Sequence, residues 1–202
     1  MAVRAREAVD RTDRNGTSRV EIREMELVDL SAVYELGEKL FTPELSAILY
    51  RTWDQYELIA CFASDGETCL VAEQDERIVG FAIGTLLEKP RSAWTYGWLL
   101  WLGVDPEFAS HGVGRRLVRR VTELLIERGA RMMIVDTDAS NARAIEFFRG
   151  QGFGDESEHV YLWKNLTQEP GYHRNRERGG NRTIRKVAGR RPNLPKPDED
   201  DD

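Results

Sequence analysis

The sequence predicts a mixed α/β (α+β) fold built on a mixed, mostly antiparallel sheet flanked by helices. Three observations carry this. Two apolar runs, Cys69–Gln74 and Ile78–Leu87, are separated only by Asp75-Glu76-Arg77, the signature of an antiparallel hairpin. Residues Gly114–Arg128 form a strongly amphipathic stretch, with Leu117, Val118, Val121, Leu124 and Leu125 on one face and Arg115, Arg116, Arg119, Arg120, Glu123 and Glu127 on the other. From Ala93 onward the pattern alternates strand, helix, strand, helix, strand, so a parallel pair joins the antiparallel hairpin.

Taken in order, Val20–Ile22 reads as a short strand. Asp29 is placed to cap a helix over Leu30–Phe41, with Leu30, Val33, Leu36 and Leu40 on one face. Pro43 suits the first turn of a second helix running through Leu45, Ile48, Leu49 and Trp53. The hairpin follows. Ala93–Val104 is a strand whose run Trp98-Leu-Leu-Trp-Leu-Gly-Val predicts burial on both faces. Gly129 ends the amphipathic helix, Met132–Val135 is the next strand, Asn141–Arg149 a short helix, and Val160–Trp163 a final strand.

Composition limits the function classes. The 202 residues carry 29 Lys and Arg against 35 Asp and Glu, a formal net charge of −6. That charge is uneven: residues 1–19 carry +2, residues 170–202 carry +3, and residues 20–169 therefore carry −11. The sequence thus divides into a disordered N-terminal tail (1–19), one acidic domain (20–169) and a disordered C-terminal tail (170–202), basic to Pro197 and acidic from Asp198 to Asp202. The tail reads either as an arm for a ribosome or nucleic acid or as a solvated extension. No apolar run approaches the roughly 20 residues of a membrane helix, and Met1–Arg19 lacks the apolar segment of a secretory signal. Cys61 and Cys69 form no C-x-x-C pair, and His111, His159 and His173 are scattered. The expectation is a cytoplasmic protein that makes no membrane contact and has no metal site.

The chemistry concentrates between Trp98 and Phe153. Gly112-Val-Gly-Arg-Arg-Leu117 stands directly before the amphipathic helix. Glycines there either let the backbone approach a phosphate at the helix N-terminus or simply make a tight turn. The chain contains no G-x-x-x-x-G-K-[ST] string, and the dinucleotide pattern G-x-G-x-x-G fails at Leu117, although Asp136 lies near the position of a ribose-binding acid.

The segment from Leu102 to Leu117, together with Asn141-Ala-Arg-Ala-Ile-Glu-Phe-Phe-Arg-Gly-Gln-Gly-Phe153, resembles the acyl-CoA motifs of the GNAT superfamily of N-acetyltransferases. The resemblance covers Val20 to about Leu166. It implies a GNAT-type sheet whose central pair, the strand ending at Val104 and the strand Met132–Thr137, splays apart. It implies acetyl-CoA as co-substrate, with Leu102 and Val104 on the pantetheine arm and the amides of Ala109, Ser110, His111, Gly112, Val113, Gly114 and Arg115 around the pyrophosphate. Asn141 contacts the cofactor, and Ala144, Phe147 and Phe148 line its thioester end. Ala109 replaces the usual Gln or Arg. Phe148 occupies the place of the tyrosine that many members use as general acid, which leaves Tyr161, Tyr96, a water or an unassisted thiolate.

Asp136 lies five residues before Asn141, where the ribosomal-protein N-terminal acetyltransferases of this family, a branch the sequence resembles, place a catalytic glutamate. Asp136 is the first candidate for the base that deprotonates the amine, and Asp138 the second. A core of net −11 favours a cationic amine acceptor: a protein N-terminus, a lysine, a polyamine or an aminoglycoside. Trp94, Tyr96 and Trp98 share a strand face and would line an acceptor pocket, the core or a homodimer contact. The alternatives are a non-catalytic acyl-CoA-binding module whose tail recruits a partner, and a dinucleotide-binding domain.

Overall fold

The computed structural model describes residues 19–42, 53–88, 94–157 and 164–172. The predicted helix from Pro43 through Leu49, the final strand with its Tyr161, and most of both tails lie outside the described residues. The sequence groups 20–169 as one domain; the contacts divide the chain into two units, Met1–Asp138 and Ala139–Asp202, each described by itself.

The first unit holds a five-stranded sheet in the order β1-β2-β3-β4-β5: β1 (Glu21–Glu24), β2 (Cys69–Gln74), β3 (Arg77–Glu88), β4 (Thr95–Val104) and β5 (Ala130–Val135). The first four strands are antiparallel neighbours, and β5 runs parallel to β4. The hairpin falls where the apolar runs place it. Its two turn residues, Asp75 and Glu76, both take left-handed φ angles of 50° and 62°. Such a turn matches the right-handed twist of the strands it joins.

Between β1 and β2 lie α1 (Leu30–Leu40) and α2 (Gln55–Asp65). Asp29 sits at the start of α1 but makes no side-chain capping bond there. Its carboxylate instead accepts two guanidinium N–H bonds from Arg23, at 2.6 and 2.8 Å, and the Glu26 amide at 2.7 Å. A paired ionic fork is stronger than one amide contact. Arg23 also reaches Glu73 at 2.7 Å, so β1, β2 and the entry to α1 are tied together. The two carboxylates, Asp29 first, hold the guanidinium protonated against the opposing effect of burial.

The predicted second helix is corrected at its described end: Trp53 precedes a helix instead of finishing one. Asp54 caps α2, accepting the amides of Tyr56 and Glu57 at 2.7 and 2.9 Å. Leu58, Cys61 and Phe62 turn inward from α2, while Tyr56 and Ile59 are exposed.

The sheet is buried on two faces. On one, α1 and α2 cover an aromatic cluster in which Trp53 lies 5.4 Å from Phe41, 5.2 Å from Phe81 and 5.1 Å from Trp101, between ring centroids. The Trp53 indole N–H donates to the Tyr34 carbonyl at 3.0 Å, which satisfies its polar end. Gly37, midway along α1, is a close-approach glycine: a Cβ there would lie 2.1 Å from Trp53 Cε2. On the other face α3 (Val113–Glu127) buries Val113, Leu117, Val118, Val121, Leu124 and Leu125, including all five positions its periodicity predicts. Gly129 ends it with φ of 85°.

In the second unit, α4 (Ala142–Arg149) begins at Asn141, whose side-chain oxygen accepts the Ala144 amide at 3.1 Å. Phe148 is buried, 5.1 Å from the Phe147 ring and 5.5 Å from Phe153. Among the described residues, no helix is long and apolar enough to cross a membrane.

Candidate active site

The central strands pair and then part. β4 and β5 are registered from Thr95↔Ala130 to Leu99↔Val135. β4 continues through Leu100–Val104 with no described strand on that side. An irregularity lies on the opposite edge at the same level. Ile83 pairs with Trp101 but Gly84 with Leu99, so Leu100 is an extra, bulged residue. A bulge bends its strand and sharpens the local twist, and this one falls beside the last β4–β5 rung, Leu99↔Val135.

The bulge also changes which face each residue serves. Before it, a Cβ on Gly97 would point at Leu125 of α3; after it, a Cβ on Gly103 would point at Phe81 and at Leu40 of α1. Trp98 therefore lies on the α1/α2 face, as does Trp101, whose ring packs in the aromatic cluster. Leu102 and Val104 are half-buried on the segment of β4 that extends past its last described rung with β5.

The turn after β4 leads into α3. Asp105 caps a short 3-10 turn over Pro106–Phe108, accepting the Glu107 amide at 3.0 Å. Gly112 then adopts φ of 72°, and a Cβ there would meet nothing within 4 Å. The amides of Val113, Gly114 and Arg115 occupy the first helical turn, where no intrahelical acceptor exists. Two of the predicted cradle amides are used locally: Ala109 donates to Pro106 at 3.3 Å and His111 to Phe108 at 3.1 Å. Among the described residues, no such local bond engages the amides of Ser110 and Gly112–Arg115, which is compatible with the expected cradle. Ser110, His111 and Arg115 are exposed, and Val113 is fully buried, so only its backbone faces a ligand. Arg116 is turned away, donating to the Val20 carbonyl at 2.9 Å.

Asp136 follows β5 directly, at the apex of the fork. Its Oδ1 accepts the indole N–H of Trp98 at 2.7 Å. A second tryptophan–carboxylate pair lies on the same face of β4, where Trp101 Nε1 donates to Glu57 Oε1 of α2 at 3.1 Å. Neither pair is readable from the sequence, because each depends on packing between elements far apart in the chain. Asp138 is exposed two residues beyond Asp136. Asn141, Ala144, Phe147 and Phe148 lie in the second unit on α4 and its cap. Phe148 is fixed by its two phenylalanine neighbours, as a packed core residue would be. Tyr161 lies outside the described residues.

A polar groove lined by Ile22, Arg23, Met25, Leu70 and Arg120 lies along β1, at the far edge of the sheet from the fork. Its arginines are committed to ion pairs with Asp29, Glu73 and Glu123. Among the described residues, no group of three His, Cys, Asp or Glu side chains is placed to hold a metal ion.

The structure thus places a forked parallel pair ahead of a helix that opens on a left-handed glycine. The family model for the acetyltransferase (GNAT) family matches residues 30–153. The chain belongs to that family. N-acetyltransferase 8 of Homo sapiens is 25% identical over 137 residues, 67% of this chain and 60% of that protein. The ribosomal protein bS18 alanine N-acetyltransferase of Salmonella typhimurium is 29% identical over 96 residues, 46% of this chain and 61% of that protein. Among solved structures, an aminoglycoside N-acetyltransferase in complex with CoA matches with a TM-score of 0.54 at 22% identity, covering 73% of this chain and 95% of that one. At that identity the likeness is one of fold. The matched stretches span about 60% of the length of these two curated relatives.

Proposed function

We propose that this chain is an acetyl-CoA-dependent N-acetyltransferase acting on a primary amine, with residues 20–169 as its catalytic domain. The observation that carries this is the fork: the ladder between β4 and β5 stops at Leu99↔Val135 beside a helix that opens on a left-handed glycine. The residues fit the co-substrate. The open edge of β4 at Leu102 and Val104 suits the amide-bearing pantetheine arm. The amides of Gly112–Arg115, with the positive end of the α3 dipole, suit a pyrophosphate. When bound, acetyl-CoA supplies a thioester carbonyl open to direct attack by the amine.

Asp136 at the fork apex takes the proton that the ammonium must lose, directly or through one water, with Asp138 as the alternate base. By resemblance to the family motif, Asn141 is assigned a contact with the co-substrate, and Ala144, Phe147 and Phe148 its thioester end. Phe148 has no proton to give, so Tyr161, Tyr96 or a water protonates the departing thiolate, whose ordinary pKa of roughly 8.5 lets it also leave unassisted. The acidic domain favours a cationic acceptor. A protein N-terminus or lysine is the leading reading, and a polyamine or aminoglycoside-like amine the alternative. The basic stretch of residues 170–197 would serve a protein-directed enzyme by docking on a ribosome or nucleic acid, and the strand face of Trp94, Tyr96 and Trp98 would serve a homodimer contact.

The test is turnover. The chain is incubated with acetyl-CoA and, in turn, N-terminal peptides, a lysine peptide, spermidine and an aminoglycoside, reading released thiol and the mass of the product. At least one amine should gain a single acetyl group. Asp136→Ala should lower kcat by about 10²–10⁴-fold while acetyl-CoA binding persists. Phe148 favours a second reading, the non-catalytic acyl-CoA-binding module. That reading predicts binding without turnover on any amine, and no effect of Asp136→Ala.

A further inference from the structure

We propose that Trp98 is a positioning residue that holds the Asp136 carboxylate at the mouth of the fork; this rests on the reading of Asp136 as the proton acceptor. The last backbone rung between β4 and β5 is Leu99↔Val135. Asp136 is the first residue past it, at the strand end. The hydrogen bond from Trp98 Nε1 to Asp136 Oδ1, at 2.7 Å, crosses the two strands just where the ladder stops. Trp98 is registered opposite Ile134, so its indole reaches diagonally two residues along β5 to find that oxygen.

The chemistry of the donor matters. An indole has one N–H, no acceptor and no charge. It orients a carboxylate through one oxygen without neutralising it, whereas an arginine or lysine there would form an ion pair and weaken its pull on an ammonium proton. The indole is also rigid, with only two side-chain torsions, and it is braced on β4 beside the bulge at Leu100. One strand therefore carries both the bulge beside the last rung and the residue that aims the base. A purely mechanical role, a rivet at the end of the ladder, would use the same bond and must be separated by experiment.

The experiment is a double-mutant cycle on the full chain with Trp98→Phe, Asp136→Asn and both, using whichever amine the wild type acetylates. Phe keeps the ring plane and removes the N–H; Asn keeps Oδ1 as an acceptor and removes the basicity. Trp98→Phe should lower kcat by about 10–100-fold, the cost of a misplaced catalytic group, with KM for acetyl-CoA nearly unchanged. In the Asp136→Asn background the same substitution should cost almost nothing further. Independently of activity, the Trp98 indole N–H resonance should move when Asp136 is replaced by Ala.

An equal loss from Trp98→Phe in both backgrounds makes Trp98 a rivet and overturns the proposal. An unchanged kcat in Trp98→Phe, with Asp136→Asn still slowed, overturns the proposal alone. Full activity in Asp136→Asn overturns the reading of Asp136 as base, and the proposal with it. Absence of acetyl transfer by the wild type overturns the proposed function beneath both.

Discussion

Gly112 and Gly129 bracket α3 and form a matched pair of probes. Both take left-handed φ angles, 72° and 85°, and a Cβ at either would meet nothing within 4 Å. Gly112→Ala and Gly129→Ala should therefore cost the fold nearly the same. Holding an alanine in the left-handed region costs about 1–2 kcal/mol, offset by roughly 0.4–1 kcal/mol from the stiffened unfolded chain. The net loss is about 1 kcal/mol for each, a fall in Tm of roughly 2–4 °C for a domain of this size. The two sites differ in what the helix offers beside them. Gly112 precedes the unsatisfied amides of Val113–Arg115, and Gly129 follows the carbonyl end, about 22 Å away along a 15-residue helix. Under the proposed function, a methyl group at Gly112 would intrude on a pyrophosphate bound at those amides. Losing one hydrogen bond to a charged group costs about 1.5–3 kcal/mol, or roughly 10–100-fold in acetyl-CoA affinity. Calorimetric unfolding and acetyl-CoA titration on both variants give the comparison. Equal loss of stability with a selective loss of affinity in Gly112→Ala is the expected result. Unchanged affinity in Gly112→Ala, or an equal loss in Gly129→Ala, would refute the assignment of the cradle to the start of α3.

Further outcomes follow from the rest of the fold. Gly37→Ala should destabilise the protein by about 1–3 kcal/mol in urea, against the helix-propensity gain of about 0.5–1 kcal/mol, because the new methyl would lie 2.1 Å from Trp53 Cε2; a net gain in stability would contradict that packing. Asp75→Asn with Glu76→Gly should raise the urea midpoint, since both turn residues are held at positive φ and Asn-Gly prefers that geometry; an unchanged or lower midpoint would count against the two-residue turn. Burial, aided by Cys61 and Asp65, pushes the Cys69 thiol up to about 12. Its folded pKa being raised, the contribution of Cys69 is fully present below the ordinary thiol pKa of about 8.5 and is lost as pH climbs toward 12, at about 1.4 kcal/mol per pH unit. The difference in stability between wild type and Cys69→Ala should therefore shrink between pH 8 and pH 10, and a constant difference would mean that Cys69 ionises as freely in the fold as out of it.

The parts of the fold legible in the sequence are those governed by local period. The hairpin, the α3 stripe and the Gly129 stop depend on spacing within one element, and they appear where the spacing puts them. The α2 helix was obscured because Tyr56, Leu58, Ile59, Cys61 and Phe62 spread apolar groups around its circumference and leave no polar stripe to set a phase. Its cap, Asp54, is an ordinary start signal that an apolar reading centred on Trp53 passes over. Asp29 shows the opposite failure: a residue of capping type in capping position, drawn off by Arg23.

In the candidate site, the glycine turn and Asp136 are visible as motif residues. The bulge at Leu100, the end of the β4–β5 ladder and the Trp98–Asp136 bond are not, because they arise from register between strands whose residues stand far apart in sequence. The local use of the Ala109 and His111 amides is likewise a property of the folded turn.

The central claim is that the fork and the start of α3 together bind acetyl-CoA. Isothermal titration of the full chain with acetyl-CoA, with CoA and NADH as comparison ligands, tests it most directly. Saturable binding of acetyl-CoA and CoA at one site, and none of NADH, is the expected result. Binding of NADH in preference to CoA, or no heat from any of the three, would contradict it.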